Sequence, residues 1–221
     1  MYADAQGVNA ADEHLGKAIA VGDFDGDGYD DVAVGMPDED YPGQANAGQV
    51  YVFRGTSARL VPWQVLGQSM VGGLTEAGDH FGAALAAGDL DGDGKDDLVV
   101  GMPGEDVNVG GVDQIDAGAA AIFYGSASGL QGTELWTQAT DGAGTPDDGD
   151  RFGAAVAIAT MSGVPTAIIG APGDRNVLPY VGTTVTSGAV FLFPHDFGGA
   201  LLIGTPTRVR YTSGVSGDDF G

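Results

Sequence analysis

The chain of 221 residues has no cysteine, and its 8 lysines and arginines face 31 aspartates and glutamates. Without cysteine there is no disulfide framework, no thiol nucleophile and no zinc–thiolate centre. A formal net charge of −23 would be repelled by a phosphate backbone, so nucleic acid is excluded as a partner. No apolar run reaches membrane-spanning length, so no membrane span is expected. No secretory leader is recognisable, and the opening Met1-Tyr-Ala-Asp-Ala5 reads as following one already removed. Long helix-favouring stretches are scarce as well. Glycine is abundant instead, at 40 residues, beside a hydrophobic fraction of 43%. This composition argues against disorder and for tight turns between short strands in a chain able to bury a core.

Most of the chemistry lies in one acidic pattern that occurs twice. Asp23-Phe-Asp-Gly-Asp-Gly-Tyr-Asp-Asp31 is echoed 66 residues later by Asp89-Leu-Asp-Gly-Asp-Gly-Lys-Asp-Asp97. So many carboxylates in nine residues repel one another unless a cation neutralises them. All-oxygen ligands select a hard ion such as calcium over zinc or copper. An EF-hand would need a Glu at position 12 and flanking helices. Position 12 is Val34 or Val100, and both flanks are short apolar runs bounded by glycine. The pattern therefore reads as a calcium loop between two strands, closed at position 9. The expected ligands are the side chains of Asp23, Asp25, Asp27 and Asp31 with the Tyr29 carbonyl, and those of Asp89, Asp91, Asp93 and Asp97 with the Lys95 carbonyl. Two Ca2+ ions per chain are expected. Strand alternation sends Asp30 and Asp96 away from the ion, as solvated charges.

The acidic loops sit inside a longer repeat. Asp12-Glu-His-Leu-Gly16, Gly78-Asp-His-Phe-Gly82, Gly149-Asp-Arg-Phe-Gly153 and Gly217-Asp-Asp-Phe-Gly221 align, with final glycines 66, 71 and 68 residues apart. Val34-Gly-Met-Pro37, Val100-Gly-Met-Pro103 and Ile169-Gly-Ala-Pro172 form a second anchor. Gly48-Gln-Val-Tyr-Val-Phe53, Gly118-Ala-Ala-Ala-Ile-Phe123 and Gly188-Ala-Val-Phe-Leu-Phe193 form a third. Each copy reads as four strands, placed in the second copy near 82–88, 97–101, 118–124 and 134–139. The first two strands of each are apolar on both faces, as expected where both faces are covered. Four-stranded sheets repeated around a centre make a β-propeller. The expected fold is all-β, with antiparallel blades over about 13–72, 78–142 and 149–214 and the start of another repeat at 215–221.

Phe-Gly at 81–82 and 152–153, the Gly-Met-Pro or Gly-Ala-Pro that follows, and the acidic loop between them resemble the FG-GAP repeat of integrin α-subunit propellers, in a calcium-binding, bacterial-type form. The resemblance covers essentially the whole chain. The first copy departs from it with Leu15-Gly16, and the third replaces the acidic loop by Thr160-Met-Ser-Gly-Val-Pro-Thr166. The interval from Gly153 to Gly170 is 17 residues where the other copies have 19, so no calcium is expected there. Family propellers have seven blades, which implies a piece of a longer propeller, the preferred reading, or a protomer that self-associates to complete a ring.

Turns between first and second strands share one face, so the calcium loops stiffen that face. The long connections 38–47, 104–117 and 173–187 share the other. Loops of that length on a rigid scaffold commonly carry binding function. Their Tyr41, Asn108, Asp113, Arg175 and Tyr180 are the ligand-face candidates. The resemblance implies contacts with ligands and partners on this face. His14 and His80 occupy one repeat position and read as structural, while His195 beside Asp196 has no evident nucleophile partner. Among so many acids no pair is singled out for glycosidase chemistry. Trp63 and Trp136 read as matching packing positions near the fourth strands. The expected function is a non-catalytic binding or adhesion module for a protein or glycan, in an extracellular, cell-surface or periplasmic setting. The alternatives are an accessory or catalytic part of a secreted hydrolase or lyase, and a purely architectural repeat.

Overall fold

The computed structural model describes residues 13–177, 184–186, 188–195 and 207–209. Tyr180, the anchor at 217–221 and the start of the further repeat at 215–221 lie outside these residues. The first sheet has the order β1 (Ile19–Gly22), β2 (Asp31–Met36), β3 (Gln49–Arg54), β4 (Val61–Leu66), all antiparallel. The second begins with β5 (Ala84–Gly88) and β6 (Asp97–Met102), followed by a separate ribbon of β7 (Val107–Val109) and β8 (Val112–Gln114). It is completed by β9 (Ala119–Tyr124) and β10 (Gln131–Trp136). The third contains β11 (Ala155–Met161) and β12 (Val164–Ala171), then the ribbon β13 (Arg175–Val177) with β14 (Thr184–Thr186), then β15 (Ala189–Pro194) and β16 (Thr207–Val209). The fold is all-β, and the three four-stranded sheets are propeller blades.

The aromatic of each anchor plugs into the preceding blade. Phe81 is fully buried with Val50, Val52 and Leu66 of the first blade and Phe123 of the second, onto which Leu85 and Ala87 also pack. Phe152 repeats the arrangement with Ala120, Ile122 and Trp136 of the second blade and Phe191 and Phe193 of the third. Val156 and Ile158 pack there in turn. Truncating such an aromatic costs about 3–5 kcal/mol. The Gly-x-Pro anchor is glycine because the next blade's backbone presses on it. A Cβ on Gly35 would lie 2.1 Å from the carbonyl oxygen of Gly82, and one on Gly101 would lie 2.0 Å from that of Gly153.

Two details differ from the sequence reading. The fourth strand of the second blade spans Gln131–Trp136, earlier than 134–139, because a bulge between Gly132 and Glu134 sets its register on β9. That register also separates the tryptophans. Trp136 pairs with Ala120 where Leu66 pairs with Val50, so Leu66 is the counterpart of Trp136. Trp63 lies at the bulge of β4 instead, below the Arg54 guanidinium at 5.5 Å.

Candidate functional site

The nine-residue acidic turn joins β1 to β2 and recurs between β5 and β6. Its polar backbone has no ladder partners, so carboxylates take that role. Asp23 accepts from the amides of Gly26 (2.8 Å) and Asp27 through Oδ1 and from Gly28 (2.9 Å) through Oδ2. Asp25 accepts from Asp27 and Asp27 from Tyr29. The second turn repeats the pattern: Asp89 accepts from Gly92 (2.7 Å) and Gly94 (3.1 Å), Asp91 from Asp93, and Asp93 from Lys95. The glycines at the fourth and sixth positions are left-handed, with φ from 72° to 88°. Wrapping inward gathers the charges. Asp23, Asp25 and Asp27 each bring a carboxylate oxygen within 4.8 Å of the others, and so do Asp89, Asp91 and Asp93.

Asp31 and Asp97 lie outside these trios and are buried. Asp31 accepts from the amides of Phe24 (3.0 Å) and Gly55 (2.7 Å), and Asp97 from those of Leu90 (2.7 Å), Asp91 and Gly125 (2.8 Å). Each carboxylate thus braces its acidic turn against the start of the turn between third and fourth strands. Burial pushes both acids up, Asp97 to about 7. Carboxylate oxygens can accept beyond one bond each, so bracing does not use up their capacity. Of Tyr29 the side chain is exposed, while the Lys95 ammonium binds Asp93 at 2.6 Å and holds that acid below its ordinary range.

Two neighbours were not foreseen. Arg54, at the end of β3, reaches Asp25 (2.5 Å) and Asp27 (2.9 Å). Its register counterpart in the second blade is Tyr124, so the second trio has no such guanidinium. Asp96 is half-buried and accepts from the Asp23 amide of the first blade at 2.9 Å, while its own amide donates to the Asp23 carbonyl at 3.0 Å. It is an inter-blade link, which corrects its reading as a solvated charge; Asp30 is exposed as expected. The two trios fit a divalent hard cation. Their donors are all carboxylate oxygens, they converge, and the cations already beside them, Arg54 and Lys95, offset only part of the charge.

On the opposite side, the expected ligand residues do not form one cluster. Asn108 and Asp113 bond each other across the β7–β8 ribbon at 2.6 Å, and Asn108 also caps the Gly111 amide. Tyr41 is exposed at a small bridge with Gln44, and Arg175 opens β13, also exposed. The sequence reading missed a set of buried acids here: Glu13, Asp79 and Asp150 in the first anchor, and Glu39, Glu105 and Asp174 after the Gly-x-Pro anchor. Burial raises Asp79 to about 6 and Glu105 to about 8, and Glu105 accepts from the Gln68 side-chain amide. In the third blade Asp174 pairs with Arg208. Their shared repeat positions were the available signal. His14 and His80 both hold Asp38, at 2.7 and 3.0 Å. On the acidic-turn side, at the end of β15, His195 is buried, bonded to the Tyr124 hydroxyl at 2.9 Å and stacked on Trp136.

Residues 15–53 and 81–123 match the FG-GAP repeat family. Over 92 residues, 42% of this chain, it is 39% identical to integrin alpha-PS2 of Drosophila melanogaster, covering 6% of that protein. Over 170 residues, 72% of this chain, it is 31% identical to integrin alpha pat-2 of Caenorhabditis briggsae, covering 12% of it. It is also 34% identical over 118 residues, 52% of this chain, to the phosphatidylinositol-glycan-specific phospholipase D of Rattus norvegicus, covering 14% of it. The chain thus spans between 6% and 14% of these relatives.

Proposed function

The chain carries FG-GAP repeats of an integrin-α-like propeller, and from that premise we propose that it is a calcium-stabilised, extracellular binding module. The observation that carries this reading is the pair of carboxylate trios at equivalent positions of successive blades. Asp23, Asp25 and Asp27 would hold one ion, Asp89, Asp91 and Asp93 the other, with Asp31 and Asp97 bracing each turn and available as further ligands beside the Tyr29 and Lys95 carbonyls. The ion would supply charge neutralisation and cross-link the carboxylates of a turn that is anchored in the core by its buried Phe24 or Leu90. Ligand contact is assigned to the opposite face, where the ribbons β7–β8 and β13–β14 project and where a protein or glycan would bind. Among the described residues no helix is long and apolar enough to cross a membrane.

The phospholipase D relative favours a second reading, an accessory or catalytic propeller of a secreted hydrolase. One set of measurements separates the two. Calcium is expected to raise the melting temperature and magnesium to do much less, because magnesium gives up its water reluctantly. A protein and glycan binding screen, with calcium and with chelator, is expected to find binding without turnover. Turnover lost on neutralising an acid of the opposite face would support the hydrolase reading instead.

A further inference from the structure

The two acidic turns touch. Asp96, the eighth residue of the second turn, crosses the blade boundary to Asp23, the first residue of the first turn. Its amide donates to the Asp23 carbonyl at 3.0 Å, and its Oδ2 accepts from the Asp23 amide at 2.9 Å. Both backbone polar groups of Asp23 are thus satisfied by one residue of the next blade. The rest of the seam is closely fitted. A Cβ on Gly22 would lie 2.7 Å from Asp96 Oδ2, and one on Gly26 would lie 3.2 Å from the Lys95 Cγ. Gly125, whose amide Asp97 holds at 2.8 Å, leaves the same kind of space on the other side. A Cβ there would meet the carbonyl oxygen of Asp96 at 2.5 Å and that of Phe24 at 2.9 Å. Packing this close transmits a shift of one turn to the other.

The contact points stand beside the atoms that would hold a cation. Asp23 belongs to the first trio, and its carboxylate is aimed by the amides of Gly26, Asp27 and Gly28. Asp96 lies between Lys95, whose carbonyl is assigned to the second site, and Asp97, which braces the second turn. The Lys95 carbonyl and the Asp96 N–H belong to one planar peptide unit. Fixing the oxygen on one side therefore aims the N–H on the other, the one that donates to Asp23. The next boundary has no such joint. Register makes Thr166 the counterpart of Asp97, and hence Pro165 the counterpart of Asp96. Proline has no amide to donate and no carboxylate to accept with, so the third blade cannot clamp Asp89 in this way.

We propose that Asp96 is a positioning residue that couples the two cation sites, so that loading either turn tightens the other. This rests on the calcium reading of the trios given above. The Lys95–Asp96 peptide and the Asp96 carboxylate hold the backbone of Asp23, so a second turn fixed around a cation presents a first turn already in place. Pre-organisation of this kind lowers the cost of binding. Linkage makes the effect reciprocal, with one factor for both directions. Asp96 touches neither cation, and its amide bond to Asp23 lies outside the ladder of its own blade.

Calorimetric calcium titration of the intact chain and its variants tests this. The product of the two association constants in the unaltered chain should exceed the product of those left in Asp25→Asn and in Asp91→Asn by about tenfold, an ordinary coupling. Asp96→Pro, which gives the joint the chemistry of Pro165, should abolish the excess. Asp96→Asn removes the same charge but keeps an acceptor and the amide, and should retain it. If Asp96→Pro does not fold, Asp96→Ala, which removes the carboxylate bond alone, should reduce the excess at least about twofold. Hydrogen exchange at the Asp23 amide reads the joint directly. In Asp25→Asn, where the second turn alone binds, calcium should slow that exchange, and in Asp25→Asn with Asp96→Ala it should not. Two bound ions with no excess would overturn the coupling and leave the calcium reading standing, whereas no bound calcium would overturn both. An excess that survives Asp96→Pro, or one that disappears in Asp96→Asn as well, would overturn the role of Asp96.

Discussion

In the second blade the ladder between β5 and β6 stops at the Gly88–Asp97 pair, and an acidic turn spans the gap. In the third blade the equivalent pair is Ala159–Thr166, and the ladder continues through Thr160–Pro165 and Met161–Val164 to the two-residue turn Ser162-Gly163. Both turn residues are left-handed there, with φ of 52° and 84°, which suits the twist of a tight hairpin. The same two strands are thus closed by a compact turn without acids, or by a longer one whose amides are satisfied by its own carboxylates. The acids are not needed to connect strands. They make a turn that satisfies its backbone at the expense of concentrated negative charge, which a bound cation would relieve.

The comparison can be broken most severely at the glycines. Gly101→Ala should destabilise the chain by about 3 kcal/mol, the upper range for overpacking a core, whereas Gly170→Ala should stay within roughly 0.5 kcal/mol, as for open sites, since a Cβ there meets no described atom nearer than the Ala155 Cβ at 3.5 Å. Urea unfolding of the two variants checks this, and equal losses would contradict the asymmetry between the inner and outer blades. Next is the brace. Asp97→Asn leaves a buried amide of Gly125 or Leu90 short of an acceptor, at a cost of about 2 kcal/mol. Thr166, the buried counterpart in the third blade, donates its hydroxyl to the Val164 carbonyl, and Thr166→Val should cost less than half as much.

A smaller effect separates the buried acids. Glu105 is held protonated by burial, its pKa raised from an ordinary 4.5 to about 8. A raised value in the folded state means stability fully present below about 4.5 and lost as pH rises toward 8, with a slope of at most ~1.4 kcal/mol per pH unit. With calcium chelated throughout, Glu105→Gln should flatten the decline between pH 5 and 8. Asp174 has the Arg208 guanidinium beside it instead of an amide, so Asp174→Asn should destabilise the chain by leaving that guanidinium without its anion. The smallest effect distinguishes the two acidic turns. Arg54 occupies part of the first trio's field, so Arg54→Met should tighten calcium at that site about tenfold, or ~1.4 kcal/mol, and leave the second unchanged. Calcium titration by calorimetry would show whether one of the two affinities moves alone.

Much of this architecture was legible in the sequence because its anchors are backbone requirements. Gly35, Gly101 and the left-handed glycines of the acidic turns cannot be replaced freely, so their spacing gave the blades and the turns. The carboxylate trios were readable for the same reason, since alternation within a turn is local. What was not readable depended on neighbouring blades. Asp96 looked solvated because strand alternation describes one sheet, while its partner is the backbone of another. The displacement of β10 and the mismatch of Trp63 with Trp136 follow from a bulge that composition does not reveal. The buried acids Asp79 and Glu105 sit in polar stretches that read as surface loops, and only the packing of connections between blades removes them from water.

The central claim is that two blades carry a calcium clamp and the third does not. Isothermal titration of the chelator-treated chain with calcium tests it most directly. The account predicts two sites per chain, with Asp25→Asn and Asp91→Asn each removing one and no third site contributed by the Ser162-Gly163 turn. No binding, a single site in the unaltered chain, or two sites that survive both substitutions would contradict it.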